Sequence, residues 1–387
     1  MIDHMLNNEL RALQQTVRDF SNDVVAPSIA RHYENCTFPY EIVRQMGDMG
    51  LFGLALPEDF GGSGGDYFVL CLALEELARV DSSVAITLEA AVSLGSMPIS
   101  RFGTEEQKRT WLPGLCSGRI LGAFGLTEPD AGSDASGTQT TAQLVDGQWV
   151  INGSKCFITN SGTDITGLVT VTAITGRSVE GGKEISAIII PAGTPGLTVA
   201  PSYSKVGWNA SDTHELSFVD VRVPEANLLG VRGRGIAQFL RILDEGRIAI
   251  AALAVGLAQG CLDHALIQAN SRRAFGRTIG SNQSIAFKIA DMEVRTHTSR
   301  LAYYDAASRM RAGQPFKRQA SIAKLYSSEV AVSNAREATQ IFGGYGFMNE
   351  TPVARMWRDS KILEIGEGTS EVQRMLIARD LGVKSDD

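Results

Sequence analysis

Along the chain the spacing of apolar positions changes twice. From residue 1 to about 120 it is helical: "EIVRQMGDMGLFGL" sets Ile42, Met46 and Met49 on one stripe, and "FVLCLALEELARV" continues in the same style. The cluster "GGSGG" at 61–65 interrupts these helices as a loop. From about 121 to 228 the pattern becomes short β-branched runs, "QWVING", "GLVTVTAIT", "EISAIIIPA", "GLTVAP" and "HELSFVDVRVP", divided by Gly, Pro and Asp/Asn turns. After about 229 the helical spacing returns; in "QSIAFKIADMEVR" Ile285, Ile289 and Met292 share a face. The pattern predicts an α+β multidomain chain: an N-terminal α-helical domain (1–120), a middle β-domain (121–228) and a C-terminal helical bundle (229–387).

Near the end, "EIGEGTSEVQR" at 364–374 places Glu367 between Gly366 and Gly368, just ahead of a helix start. Ser370 is placed as N-cap, with Gln373 three residues later as its capping-box partner. Val372, Met375 and Leu376 then fall on one helical face.

Composition narrows the function classes. A length of 387 residues suits two or three packed units, and 44% hydrophobic with 20% charged residues is a globular balance. A net charge of −7 and a pI near 5.4 exclude the basic footprint of a nucleic-acid binder. The cysteines (Cys36, Cys71, Cys116, Cys156, Cys261) are scattered without a CxxC pair, as packed, reduced thiols are. The histidines (His4, His32, His214, His264, His297) are equally dispersed, so no metal site is expected. The polar start "MIDHMLNNEL" lacks the basic and apolar regions of a signal peptide, and "IAIAALAVGLA" at 248–258 is too short to span a bilayer. A buried bundle helix and a cytoplasmic location, without membrane insertion, are the expectations.

The glycines exclude the commonest nucleotide folds. None forms G-x-G-x-x-G between a strand and a helix, "GVRGRG" at 230–235 has the wrong spacing, and no P-loop is present. Any cofactor must be held by another geometry. "AFGLTEPDAGSDASG" at 123–137 offers Thr127, Gly132 and Ser133 in a turn that suits a ring edge or a phosphate, or is an ordinary capped turn. "INGSKCFITNSG" at 151–162 puts Phe157 and Thr159 on one side of a strand, fitting a flat heterocycle or a plain core. Asp244 and Arg247 in "LDEGRIAIA" form a local ion pair or bind a polar ligand. "NSRRAFGRTIGSNQ" at 270–283 is a pyrophosphate grip or a solvated helix end, and "QIFGGYGFMNE" at 340–350 is a close-approach loop or a helix-ending turn.

In this order the segments resemble the acyl-CoA dehydrogenase family over nearly the whole chain: "PEDFGG", "GLTEPDAGSD", "INGSKCFITN", "DVRVPEANLLG", "RRAFGR", "QIFGGYGF" and "EGTSEVQR". The resemblance implies an N-terminal α-domain, a middle antiparallel β-domain and a C-terminal four-helix bundle. It implies FAD held without a Rossmann motif, contacted by Phe124, Leu126, Thr127 and Ser133, and by Phe157, Ile158 and Thr159 near the isoalloxazine. Arg272, Phe275 and Gln283, with Gln340 and Gly344, would reach the pyrophosphate and adenosine end from a neighbouring subunit, while Thr369 and Glu371 touch the cofactor after the catalytic loop. For the acyl-CoA it implies Ser133, Asp244, Arg247, Gly368 and Arg379, and for the assembly a homotetramer built as a dimer of dimers. An electron-transferring flavoprotein is the implied electron acceptor.

Glu367 matches the family's catalytic base. A thioester α-proton is weakly acidic, and a buried carboxylate with a raised pKa accepts it better. The resemblance implies that the Glu367 N–H and a ribityl hydroxyl polarise the thioester carbonyl, and that the β-hydride goes to flavin N5, leaving a trans-2-enoyl-CoA. One departure is Gly366, where several family members carry an aromatic residue. It widens the pocket for α-branched or bulky acyl groups, or it supplies a positive φ. Short, medium or branched chains are expected, with pocket depth set by residues 80–100. Oxygen-using flavin chemistry on the same fold, as an oxidase or monooxygenase, and a non-catalytic acyl-CoA-binding role are the competing function classes.

Overall fold

The structure, a computed structural model, describes residues 5–177 and 181–383; His4 lies outside them. Seven helices come first: α1 (Asn8–Phe20), α2 (Ala26–Glu34), α3 (Tyr40–Asp48), α4 (Tyr67–Val80), α5 (Ser82–Glu89), α6 (Met97–Phe102) and α7 (Glu105–Cys116). Asp66 and Asp81 cap α4 and α5, each accepting two backbone N–H groups. Ile42 and Met46 are buried as their stripe predicts, whereas Met49 follows the end of α3 and packs at the core margin.

The strands are β1 (Leu121–Gly125), β2 (Thr141–Val145), β3 (Gln148–Thr159), β4 (Thr166–Arg177), β5 (Lys183–Pro191), β6 (Leu197–Val199), β7 (Thr213–Pro224) and β8 (Leu228–Leu229). They form one eight-stranded sheet in the order β6-β7-β3-β2-β4-β5-β8, with β1 added on β4. Most ladders are antiparallel, but β1 and β2 both run parallel to β4, so the sheet is mixed. The parallel pairings follow from connectivity: the long 126–140 loop carries the chain over before β2 begins, where a short hairpin would have forced reversal. Trp149, Ile151, Val171, Ile188 and Phe218 fill the sheet's own core.

The last part holds α8 (Gly235–Ser271), a hairpin of β9 (Arg273–Ala274) and β10 (Arg277–Thr278), α9 (Gln283–Arg311), α10 (Lys317–Phe342), α11 (Pro352–Ser360) and α12 (Ser370–Asp380). Three long helices and α12, which packs on α10, make the bundle. The "IAIAALAVGLA" run is entirely buried within α8. Its helix and the segment Ser82–Phe102 are long and apolar enough to cross a membrane, yet both are mostly enclosed by the rest of the chain. The first and last helical regions share one hydrophobic core, because α8 packs against α4 as well as α9 and α10.

One buried carboxylate joins all three regions. Asp359 of α11 accepts from the Tyr33 hydroxyl at 2.6 Å, the Ser82 hydroxyl at 2.8 Å and the Trp208 N–H at 2.7 Å. Arg355 Nε stands 2.8 Å from the neighbouring Asp81. This node seats the loop before β7 and both helical regions against one another, which fixes where their loops converge.

Candidate active site

Three ties bring the sequence-predicted residues of the β-region together. Cys156 N–H donates to the Thr127 carbonyl at 2.9 Å, and Lys155 Nζ donates to the Leu126 carbonyl at 3.1 Å. Lys155 is fully buried and paired at 2.7 Å with Glu128, whose carboxylate also accepts from Gln139 N–H at 2.7 Å and so pins both ends of the 126–140 loop. That loop therefore lies directly against the end of β3. There a bulge between Lys155 and Ile158, with Phe157 in the left-handed region, turns the Phe157 ring out to solvent beside Tyr203. Phe157 and Thr159 face outward as the alternation predicts; the Ile158 side chain does not, being packed in the sheet core, so only its backbone is open to a ligand. Ser133 is exposed in the same loop.

The acidic half of the site is built by helices. The Phe124 ring stacks on Phe239 of α8 with centroids 3.9 Å apart. Seven residues on, two turns or about 10 Å along the same face, Gly246 meets Glu367: a Cβ on Gly246 would stand 2.4 Å from Glu367 Oε2. Asn160 Nδ2, at the end of β3, donates to Thr87 O of α5 at 3.0 Å, two residues before Glu89. Glu89 is buried, and its carboxyl lies in hydrogen-bonding reach of the Glu367 carboxyl. The site is thus framed by α5, the ends of β1 and β3, α8, α10 and the 365–369 turn.

Glu367 sits with its backbone half-open but both carboxyl oxygens out of solvent, and no donor other than a shared proton satisfies them. Burial pushes its pKa up to about 6; the hydrogen bond from Glu89 and the charges of Lys324 and Arg247 pull it part of the way back. Glu89 is raised further, first by burial and then by repulsion from Glu367, so the shared proton resides on Glu89. Glu367 is itself in the left-handed region, φ +52°, followed by Gly368 at +93°. Gly366 is not, which removes the positive-φ account of that glycine; a Cβ there would meet only Ile362 O, at 3.5 Å.

The helix cap also differs from expectation. Thr369, not Ser370, is the N-cap of α12 and accepts from Val372 N–H at 3.2 Å. Ser370 is inside the helix, and the Gln373 amide turns back to the Gly368 carbonyl at 3.0 Å instead of closing a capping box. The buried side of α12 is Ser370 and Gln373, while Met375 is 67% exposed. Tertiary demand for hydrogen bonds to the Glu367 turn overrides the apolar stripe.

Asp244 and Arg247 form the local ion pair, at 2.5 Å, and Lys317 adds a second cation to Asp244 at 2.7 Å. Arg247 Nε stays buried without a partner, which leaves it a donor for a ligand. Arg379 and Glu371 are exposed on α12, and Thr369 is half-buried. Arg272, Phe275, Gln283, Gln340 and Gly344 are all exposed at the other end of the bundle, Phe275 completely so. Arg272 follows Arg247 by 25 residues along α8, about 37 Å at 1.5 Å per residue. One chain therefore cannot bring both sets to one ligand head.

Sequence reading missed Glu89, Gly246 and Lys324. Glu89 lies in the 80–100 stretch expected to line the pocket, and Gly246 lies between Asp244 and Arg247; neither carries a local signal of its role. The donor set fits a flavin: an outward aromatic ring, half-exposed hydroxyls at Thr127 and Thr159 and peptide edges lie along the contact between the 126–140 loop and the end of β3. Among the described residues no group of three or more His, Cys, Asp or Glu is placed to hold a metal ion.

Comparison with known proteins agrees with this architecture. Family profiles described as the acyl-CoA dehydrogenase N-terminal, middle and C-terminal domains match residues 7–119, 123–221 and 233–382. The probable acyl-CoA dehydrogenase YngJ of Bacillus subtilis is 49% identical over 380 residues, 97% of this chain and 100% of that protein. The structure of butyryl-CoA dehydrogenase from Megasphaera elsdenii superposes with a TM-score of 0.93 at 42% identity, over 97% of this chain and 98% of that one. A chain in a structure described as the electron transferring flavoprotein of Acidaminococcus fermentans superposes with a TM-score of 0.94 at 40% identity, over 97% and 98%.

Proposed function

The chain belongs to the acyl-CoA dehydrogenase family, and from that premise we propose that it converts a short-chain acyl-CoA to the trans-2-enoyl-CoA with Glu367 as the α-proton base. The observation that carries the reading is the Glu367 carboxyl: desolvated, with the Glu89 carboxyl as the donor it meets, and tuned to about 6, so that it is ionised at neutral pH and still basic. FAD, when bound, supplies the acceptor for the β-hydride, and two electrons then leave to a partner protein.

The chain's own residues do the rest. Glu367 takes the α-proton on a carboxyl oxygen as charge develops on the thioester carbonyl. Among the described residues no hydrogen bond takes the Glu367 N–H, so this donor is open to that carbonyl oxygen. Gly246 leaves room for the carboxylate beside α8, and the Phe124–Phe239 stack closes the apolar wall. Leu126, Thr127, Ser133, Phe157 and Thr159, with the Ile158 backbone, would hold the flavin ring, and Thr369 and Glu371 would approach it from the other side. Asp244, Arg247, Ser133, Gly368 and Arg379 would meet the CoA ester.

The separation along α8 supports a shared site, in which Arg272, Phe275, Gln283, Gln340 and Gly344 serve the FAD of a second copy. We place the protein as a tetramer, a dimer of dimers, in the cytoplasm, with an electron-transferring flavoprotein as its oxidant. The last point draws on the likeness to the Acidaminococcus fermentans chain. The test is anaerobic bleaching of the purified yellow protein by an acyl-CoA panel. Butyryl-CoA is expected to bleach it faster than octanoyl-CoA or an aromatic acyl-CoA. A protein that no acyl-CoA bleaches overturns the reading, and rapid reoxidation by air would reassign it to oxygen chemistry.

A further inference from the structure

Lys324 lies two turns into α10 and has no exposed surface, an unusual place for an ammonium group. Its Nζ donates to the carbonyl of Gly368 at 2.7 Å. The same carbonyl receives the Gln373 amide at 3.0 Å. Two buried donors thus converge on one peptide oxygen in the turn that carries Glu367. That turn contains two successive left-handed residues, Glu367 and Gly368. For the glutamate this backbone is sparsely populated and persists only where the surroundings hold it.

The charged groups around Lys324 come from three elements. Glu367 and Glu364 lie in the turn before α12, Arg247 on α8 and Glu371 on α12. Around Glu367 stand Glu89 of α5, Arg247 and Lys324 itself. Arg247 and Lys317 share the single Asp244 carboxylate, and the hydrogen bond of Lys324 goes to a neutral carbonyl. The positive charge of Lys324 bears on Glu367 together with that of Arg247.

We propose that Lys324 is a positioning residue for the base: it clamps the Gly368 carbonyl so that the left-handed turn aims the Glu367 carboxyl at the substrate α-carbon, and its charge keeps that carboxyl ionised. The proposal rests on Glu367 being the α-proton base. Burial draws the ammonium down to about 8, still protonated at neutral pH, and Glu367 is the first group that offsets this loss. Without the clamp, the turn has only the weaker Gln373 amide to oppose relaxation of Glu367 toward the right-handed region.

The experiment compares the flavin-loaded parent with Lys324→Met and Lys324→Gln, using butyryl-CoA bleaching from pH 5 to 9 and hydrogen exchange of residues 362–376. Methionine keeps the length and removes both donor and charge; glutamine keeps a donor alone. Expected for Met is a fall in bleaching rate of at least about tenfold, with the acyl-CoA dissociation constant changed less than about threefold. Its acid limb moves up by about one pH unit, and amides 367–370 exchange faster. Glutamine is expected to restore slow exchange and part of the rate while its acid limb stays displaced. If the Met variant does not fold, the Gln variant decides on the limb alone. Variants that retain flavin and match the parent in rate, limb and exchange overturn the proposal. A parent that no acyl-CoA bleaches refutes the assigned reaction instead, and the exchange comparison then still tests the clamp.

Discussion

The carboxyl groups of Glu89 and Glu367 meet inside the protein and share a single proton, with the Ser93 hydroxyl on the Glu89 side. Glu367 reaches this point from the C-terminal turn and Glu89 from the last residue of α5. Their pairing makes the base's affinity for a proton a property of two domains. In the free enzyme an acid limb of kcat/KM near pH 6 is expected, since the ionised base is the active form and its pKa is raised to about 6. Glu89→Gln retains a donor and should leave the limb within a few tenths of a unit. Glu89→Ala removes it and should move the limb upward; an unmoved limb in Glu89→Ala would show that the pair does not set the pKa. For stability the sign is the opposite of an ordinary ion pair. A folded pKa raised above the ordinary 4.5 means that the contribution is complete below pH 4.5 and lost as pH rises through about 6.

Glu367→Gln should keep the fold and the yellow colour, because the amide occupies the same volume beside Gly246. Butyryl-CoA should bind but no longer bleach it. Bleaching at the parent rate would place the base elsewhere.

Gly246→Ala sets a methyl 2.4 Å from Glu367 Oε2, closer than atoms can approach. The carboxylate is the movable partner, so it swings aside while the helix stays. Flavin content and unfolding midpoint are expected to match the parent, with kcat at least about tenfold lower, a rise of roughly 1.4 kcal/mol in the barrier. Unchanged kcat would mean that the carboxylate position is not critical.

Gly366→Tyr tests the widened pocket. The site has space for a Cβ and an ordinary backbone, so the variant should fold. The bulk should slow an α-branched acyl-CoA such as isobutyryl-CoA far more than butyryl-CoA. Equal losses on both substrates would sink the pocket idea.

Asp359→Ala deletes the acceptor shared by Tyr33, Ser82 and Trp208 and strands those buried donors. A loss of about 2–3 kcal/mol in urea unfolding is expected, the range for leaving buried donors without their acceptor. A loss below about 1 kcal/mol would show that the three regions are held together without this node.

Local sequence rules read the elements well because each region buries its apolar face by a simple period. The five strands read from β-branched runs all form, and the glycine cluster at 61–65 is the loop it suggested. Where a second demand competes, the local rule fails. Ser370 lost the cap to Thr369 because Gln373 is needed at the Gly368 carbonyl. The family resemblance named Ile158 with Phe157 and Thr159, and the same alternation that faces those two outward turns the Ile158 side chain into the sheet core.

The sequence by itself determined the helix–sheet–helix order and the absence of a Rossmann fingerprint and, through its motifs, singled out Glu367 as the candidate base. These are carried by periodicity and by short contiguous patterns, which need no knowledge of distant neighbours. Only the tertiary structure decided that Glu89, Gly246 and Lys324 converge on Glu367, from positions as far apart as 89 and 324. The physical reason is that a carboxylate's pKa depends on what surrounds it in space: burial, a shared proton and one enclosed cation. Those surroundings are assembled by packing α5, α8 and α10 around one turn, and no spacing along the chain encodes it.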